Sequence, residues 1–330
     1  MKVTHELADR IGRSEIEAAA DRIAPYLRPT PLEHSVALSA RVGREVFFKP
    51  ECLQRTGSFK LRGALNAILT LGEGERRRGV VAASAGNHGL GVAFAARLVR
   101  TPATVFLPEN APTVKRERIR TLGAEVRSVP GTFDDADRVA RDFALRAELS
   151  YLHPTSDSAV IAGQATVGLE ISRELSTLGT IVVPVGGGGL AGGIGLYARD
   201  TGTNTRVIGA QSEATRAMHA SFGAGELVST APQPTLCDGL AGDADAIGFA
   251  LLRRVLDDIV LVSEASVAAT IRALYFEEGL VVEGAGAVGV AALREGRLGE
   301  AAGPIVVVLS GANIDAAVLA RILESSTESR

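Results

Sequence analysis

The sequence predicts an α/β protein in which mostly parallel strands are joined by crossover helices, with a smaller unit inserted into a larger one. Three observations carry this. Short β-branched apolar runs alternate along the chain with amphipathic or alanine-rich stretches of helical length. Runs of glycine and small residues around Lys60, Asn87 and Gly188 stand where a strand ends and a helix begins. The length of 330 residues exceeds the usual single core, so two packed units, or one large unit with an insertion, are expected.

Taken in order, the first helix is announced by Ser14 with Glu17 three residues later, the spacing of a capping box, and by Ile16, Ala19, Ala20 and Ile23 on one face. Val46, Phe47 and Phe48 read as a strand, and a helix begins near Lys60. The clearest later strands span 79–83, 103–106, 181–185, 206–210 and 305–309, each followed by a helix candidate. Residues 81–154 hold their own strand and helix units and are expected to form the small inserted domain, with 1–80 and 155–330 forming the large one. No repeat or low-complexity linker intervenes.

Composition excludes several classes of function. Hydrophobic residues make up 46% and charged residues 22%, as in an ordinary folded protein. The formal charge of −3, from 35 basic and 38 acidic residues with no basic run longer than Arg76, Arg77 and Arg78, argues against nucleic-acid binding. No apolar stretch is long enough for a signal peptide or a bilayer span. Cys52 and Cys237 lie far apart and in no metal-ligand spacing, which suits a reducing compartment, and a cytoplasmic protein is expected.

Four runs carry candidate chemistry. Lys60 stands in the run Thr56, Gly57, Ser58, Phe59, Lys60, Leu61, Arg62, Gly63, Ala64 and opens a helix, where the positive end of the backbone dipole disfavours the protonated amine. A neutral amine suits a Schiff base with an aldehyde cofactor, although most lysines near helix ends are merely solvated. Gly186, Gly187, Gly188 and Gly189 follow a strand and open another helix, so their backbone N–H groups can close on a phosphate. A tight turn is the plain alternative, and Gly187, Gly189 and Gly192, with Glu213 after the next strand, also match dinucleotide spacing. Ser84, Ala85, Gly86, Asn87, His88 and Gly89 offer N–H groups to a carboxylate and the Asn87 amide to a phenolic oxygen, or a simple helix cap through Asn87 or Ser84. Ser310, Gly311, Ala312 and Asn313 follow the last strong strand, where ligands collect in such sheets, or where a turn would be. His5, His34, His153 and His219 form no triad or metal spacing, and His88 reads as structural.

Together, in this order, these runs resemble the serine/threonine dehydratases of the fold-type II pyridoxal-phosphate family. Supporting stretches are Ile161 to Gln164, Cys237, Asp238 and Gly239, and Val282, Glu283, Gly284, Ala285, Gly286 and Ala287, so the likeness covers nearly the whole chain. The resemblance implies a tryptophan synthase β-like fold, with two open twisted sheets flanked by helices, and pyridoxal 5′-phosphate as cofactor. It implies that Lys60 carries the cofactor and that Gly186, Gly187, Gly188 and Gly189 hold its phosphate. Asn87 would meet the ring hydroxyl and Ser310 the ring nitrogen, with Phe59 and Gly239 on the two ring faces. Ser84, Ala85, Gly86, Asn87 and His88 would receive the substrate carboxylate. The implied reaction is α,β-elimination from L-threonine or L-serine to a 2-oxo acid and ammonia, by a homodimer. With Arg330 ending the chain, the regulatory domain of the allosteric relatives is expected to be missing.

Departures bear on substrate. Leu90 stands where family members often have Gln, Cys52 where Asn is frequent, and Thr155 where Phe is common, so Thr155 is expected to widen or polarise the substrate pocket. A related lyase on a larger β-hydroxy amino acid, such as an intermediate of hydroxyectoine breakdown, a group that Leu280 to Leu293 also resembles, is the second expectation, and a non-catalytic cofactor-binding protein a third. At the positions matching the acidic divalent-metal pair of some relatives stand Gln211 and Ala217, so no metal is expected there. Ala85 replaces the serine that serves serine racemase as its second proton donor.

Overall fold

In the computed structural model the described residues are 10–325 other than 112, 203, 243, 300 and 302; His5 and the N-terminal residues read above lie outside them. The chain begins with α1 (Arg13–Ile23), β1 (Glu33–His34), α2 (Val36–Val42), β2 (Val46–Lys49), α3 (Lys60–Thr70) and α4 (Glu73–Arg78). It continues through β3 (Val80–Ala83), α5 (Asn87–Leu98), β4 (Ala103–Pro108), α6 (Thr113–Thr121), β5 (Glu125–Val129), α7 (Phe133–Arg146) and β6 (Ser150–Tyr151). Next come α8 (Ser158–Glu174), β7 (Thr180–Pro184), α9 (Gly189–Asp200), β8 (Arg206–Ser212), α10 (Ala217–Ala224) and α11 (Ala246–Val255). The last elements are β9 (Asp258–Val262), α12 (Glu264–Glu278), α13 (Gly284–Arg294), β10 (Ile305–Val308) and α14 (Ala316–Glu324).

Two sheets result. The larger has the order β1-β2-β10-β7-β8-β9, parallel except for the β1–β2 pair; the smaller, β5-β4-β3-β6, is parallel throughout. Parallel strands need crossovers, and the helices that supply them cover both faces. Period-two alternation shows it: Ile181, Val183, Val306 and Val308 face the core shared with α1, α8, α9 and α11, while Val182, Ile305 and Val307 face the core shared with α12 and α13. In the small sheet Val80, Ala82, Val105 and Leu107 face α3 and α5, and Val81, Ala83 and Phe106 face Ala136, Ala140 and Ala144 of α7. Strand direction reverses its lateral progress at β7, with β8 and β9 on one side and β10 and β2 on the other. That switch point sets the carboxyl ends of β2, β10 and β7 side by side, the place where ligands collect in such sheets.

One expectation is corrected. The first helix is not capped by Ser14 and Glu17: Gly12 is the N-cap, and its N–H is held by Glu15 Oε2 at 3.2 Å. Ser14 already lies inside α1, where its hydroxyl donates to Glu15, because the Ile16, Ala19 and Ile23 face needs the helix to start earlier. Ala20 is only half-buried. Among the described residues no helix is long and apolar enough to cross a membrane.

Candidate active site

The three loops that follow β2, β10 and β7 meet at the switch point. The turn before Lys60 is stitched to the turn after β10: Phe59 N–H donates to the Ser310 carbonyl at 3.2 Å, Ala312 N–H to Gly57 at 2.8 Å, and Ser58 pairs with Gly311 as an isolated bridge. Lys60 is therefore the first residue of α3, with its ammonium end 5.2 Å from the Phe59 ring and donating to the Pro154 carbonyl at 3.1 Å. Burial pushes this amine down to about 8, against the pull of the Glu283 carboxylate, so a large fraction is neutral slightly above neutrality.

The residue after Pro154 reaches the glycine loop. A Cβ added to Gly187 would lie 2.9 Å from the Thr155 methyl and hydroxyl, and Gly188 adopts φ +93°, a conformation that side chains resist. Among the described residues the N–H groups of Gly186, Gly187, Gly188 and Gly189 have no hydrogen-bond partner, and they stand at the start of the twelve-residue α9. Four unpartnered donors on a helix start, two of them on buried residues, are an anion cradle, and the Lys60 amine is tethered beside it through Pro154 and Thr155. Gly239 adjoins the same loop, its carbonyl 3.3 Å from where a Gly186 Cβ would sit. Thr155 rests on the glycine loop and reaches toward Asp245 at 3.5 Å.

The 84–89 run follows β3, an interior strand of the small sheet, and leads into α5. Neither Asn87 nor Ser84 is the helix cap: Gly86 occupies that position, and Ser84 Oγ turns back to accept from Gly86 N–H at 3.1 Å. This leaves the N–H groups of Ala85, Asn87 and His88 without partners among the described residues, a second place for a carboxylate. The His88 ring points away from it, to the Leu152 carbonyl at 2.9 Å, and burial, with Lys60 nearby, pushes it down to about 3. Leu90 is buried behind the loop. Asn87 donates to Glu283 Oε1 at 2.6 Å and accepts from Asn313 Nδ2 at 2.6 Å, which ties the fourth run to the third.

Through these contacts the loops carrying Lys60, Asn87 and Ser310 are joined, the Lys60 amine reaches the glycine loop by way of Pro154 and Thr155, and Glu283, quoted above without a role, joins them. Glu283 is buried, and that burial, with Asp238 adding to it, pushes its carboxyl up to about 7. Its only sequence signal was an acid within the glycine-rich stretch that opens α13. Arg62, quoted as part of the lysine motif, points away from the site into a buried ion network. At Gln211, one of the two positions where no metal is expected, the side-chain amide is used at both ends, donating to the Thr215 carbonyl at 2.7 Å and accepting from His219 N–H at 2.8 Å. Among the described residues no group of three or more His, Cys, Asp or Glu is arranged to hold a metal ion.

Comparison with known proteins gives concordant findings. A family model described as pyridoxal-phosphate dependent enzyme matches residues 23–311. The chain is 41% identical over 310 residues to an L-threonine ammonia-lyase of Geobacter sulfurreducens, covering 94% of this chain and 77% of that one. Among solved structures, maize serine racemase superposes with a TM-score of 0.90 at 31% identity, over 94% of this chain and 96% of that one. The processed form of threonine deaminase isoform 2 from Solanum lycopersicum superposes with a TM-score of 0.89 at 34% identity, over 97% of this chain and 88% of that one.

Proposed function

Because this chain belongs to the pyridoxal-phosphate dependent enzymes, we propose that it is an ammonia-lyase that converts L-threonine, L-serine or both to a 2-oxo acid and ammonia. Its architecture is of fold type II and its cofactor is pyridoxal 5′-phosphate. The observation that carries the reading is the Lys60 amine, lowered by burial and tethered beside four unpartnered glycine N–H groups. That donor set fits an aldehyde bearing one phosphate. Gly186, Gly187, Gly188 and Gly189 would hold the phosphate, Lys60 the aldehyde carbon, Asn87 the ring hydroxyl and Ser310 the ring nitrogen, with Phe59 and Gly239 against the ring faces.

When bound, the cofactor supplies an electron sink for the pair left at the substrate α-carbon. The N–H groups of Ala85, Asn87 and His88 receive the substrate carboxylate and so orient the α-carbon. The Lys60 amine takes the α-proton, a task suited to a base that burial has brought near neutrality. Ser310 would offer the ring nitrogen a hydroxyl in place of a carboxylate, and the proton taken by Lys60 balances the β-hydroxyl, which departs as water. The enamine that leaves is hydrolysed to the 2-oxo acid and ammonia.

Residues 81–154 are proposed as the small domain, a division supported by a four-stranded sheet drawn wholly from β3 to β6. Two buried free thiols, Cys52 and Cys237, support a reducing, cytoplasmic setting. A homodimer is supported by exposed apolar side chains gathered at the end of α12: Val36, Tyr275, Phe276 and Val281, with Val36 brought there by the hydrogen bond from Ser35 to Glu278.

The test is a panel of hydroxy amino acids assayed for oxo acid and ammonia, with borohydride trapping of the cofactor. L-Threonine or L-serine is expected to turn over, and the trapped cofactor to map to Lys60 and vanish in Lys60→Ala. Cofactor on another lysine, or no turnover by a fully loaded protein, would overturn the assignment.

A further inference from the structure

A side-chain amide is nearly symmetric in shape, so nothing intrinsic decides whether Asn87 presents its oxygen or its nitrogen to a ligand. Here its neighbours decide. We propose that Glu283 and Asn313 are positioning residues that grip the Asn87 amide from opposite ends and fix which of its atoms meets the cofactor ring. This rests on the reading that Asn87 contacts that ring.

The argument runs along one chain of hydrogen bonds. At the outer end the Arg118 guanidinium, which can only donate, gives to Asn313 Oδ1 at 2.8 Å. Asn313 Nδ2 then donates to the Thr56 carbonyl, which can only accept, at 2.9 Å, and to Asn87 Oδ1 at 2.6 Å. At the inner end Asn87 Nδ2 donates to Glu283 Oε1 at 2.6 Å. A donor-only group at one end and an acceptor at the other give the chain one direction. Flipping Asn87 would set oxygen against oxygen at Glu283 and nitrogen against nitrogen at Asn313. A carboxyl keeps an accepting oxygen whether or not it is ionised, so the grip survives titration of Glu283. Asn87 Nδ2 retains its second hydrogen, which is the one available to a phenolic oxygen.

The glycines of the two flanking runs make this arrangement possible. A Cβ on Gly311 would lie 2.2 Å from Glu283 Oε1, and one on Gly286 would lie 2.9 Å from the Gly311 carbonyl. The Glu283 N–H in turn donates to the Gly311 carbonyl at 2.9 Å, which fixes the carboxyl over Asn87. Those glycines leave the volume that a buried carboxyl needs, and this gives the acid in the 282–287 stretch a role.

The experiment compares wild-type protein with Glu283→Gln, Glu283→Leu and Asn313→Asp, each stripped of cofactor and titrated with pyridoxal 5′-phosphate, reading the dissociation constant and the visible absorption band. Glu283→Gln keeps an accepting oxygen and is expected to bind within about threefold of wild type with the band in place. Glu283→Leu is expected to bind about tenfold or more weakly with a displaced band, the loss expected when a hydrogen bond to a charged group is removed. Should Glu283→Leu not fold, Asn313→Asp, which keeps the Arg118 contact but cannot donate to Asn87, is expected to show the same displaced band. Unchanged affinity and spectrum in Glu283→Leu, or in Asn313→Asp where the former does not fold, would overturn the proposal. A wild-type protein that binds no cofactor would instead overturn the function proposed above.

Discussion

On the proposed reading Ala85 lies beside the substrate, at the position where the resemblance implies that serine racemase carries a serine. Returning a proton to the face of the α-carbon opposite Lys60 needs an acid there, and a methyl group has no proton to give. Ser84, one position earlier, does not replace it, because its hydroxyl is turned into the loop toward Gly86 N–H. Elimination is therefore expected to dominate, with little D-serine formed from L-serine. Ala85→Ser is expected to raise the ratio of racemisation to elimination by about 10-fold or more, since a positioned general acid is worth roughly 10²–10⁴ in rate. Chiral chromatography of residual substrate beside an oxo-acid assay measures both. Rapid racemisation by the unaltered enzyme would mean that another group supplies the acid.

At the scale of elements, the site is held from beneath by a charge network that joins β2, α3 and α8. Arg62 is fully buried, yet bonds through Nε and Nη2 to both oxygens of the buried Glu51 at 2.8 and 2.7 Å and reaches Glu170 at 2.6 Å. Lys49 meets the same Glu170 at 2.8 Å. Burial alone would lower the Arg62 pKa, but the Glu51 and Glu170 carboxylates more than reverse this and keep the guanidinium charged. Removing one partner leaves a carboxylate buried without its counter-ion. Arg62→Met is accordingly expected to cost about 3–5 kcal/mol of stability, and a double variant with Glu51→Met to recover much of it. Urea unfolding monitored by circular dichroism measures both, and a single variant as stable as wild type would show that α3 is anchored by packing alone.

For the whole molecule, the exposed apolar group around Phe276, itself 61% exposed, is the surface on which assembly is proposed. A charge placed at the centre of a self-complementary patch meets its own copy across a two-fold axis, so Phe276→Asp is expected to shift a dimer toward monomer. Sedimentation velocity decides it: a wild-type monomer, or a variant dimer of undiminished affinity, would remove this surface from consideration.

Sequence alone determined the features that depend on local backbone physics. A strand, four glycines and a helix start are contiguous, so the turn of Gly186, Gly187, Gly188 and Gly189 ahead of α9 was legible, as was Lys60 at the head of α3. The alternation of strands and helices likewise fixed the α/β class, because periodicity is written residue by residue. Placement of the first helix start was misread, since Ser14 and Glu17 satisfy the capping spacing while burial of Ile16 and Ile23 sets the register. Tertiary structure alone decided which loops meet. Asn87 and Glu283 are 196 residues apart, and neither the orientation of the amide nor the raised pKa of the acid exists until the starts of α5 and α13 come together. Thr155 on the glycine loop and Arg62 in its ion network are of the same kind: their partners come from distant elements, and burial, which sets their energetics, belongs to the assembled fold.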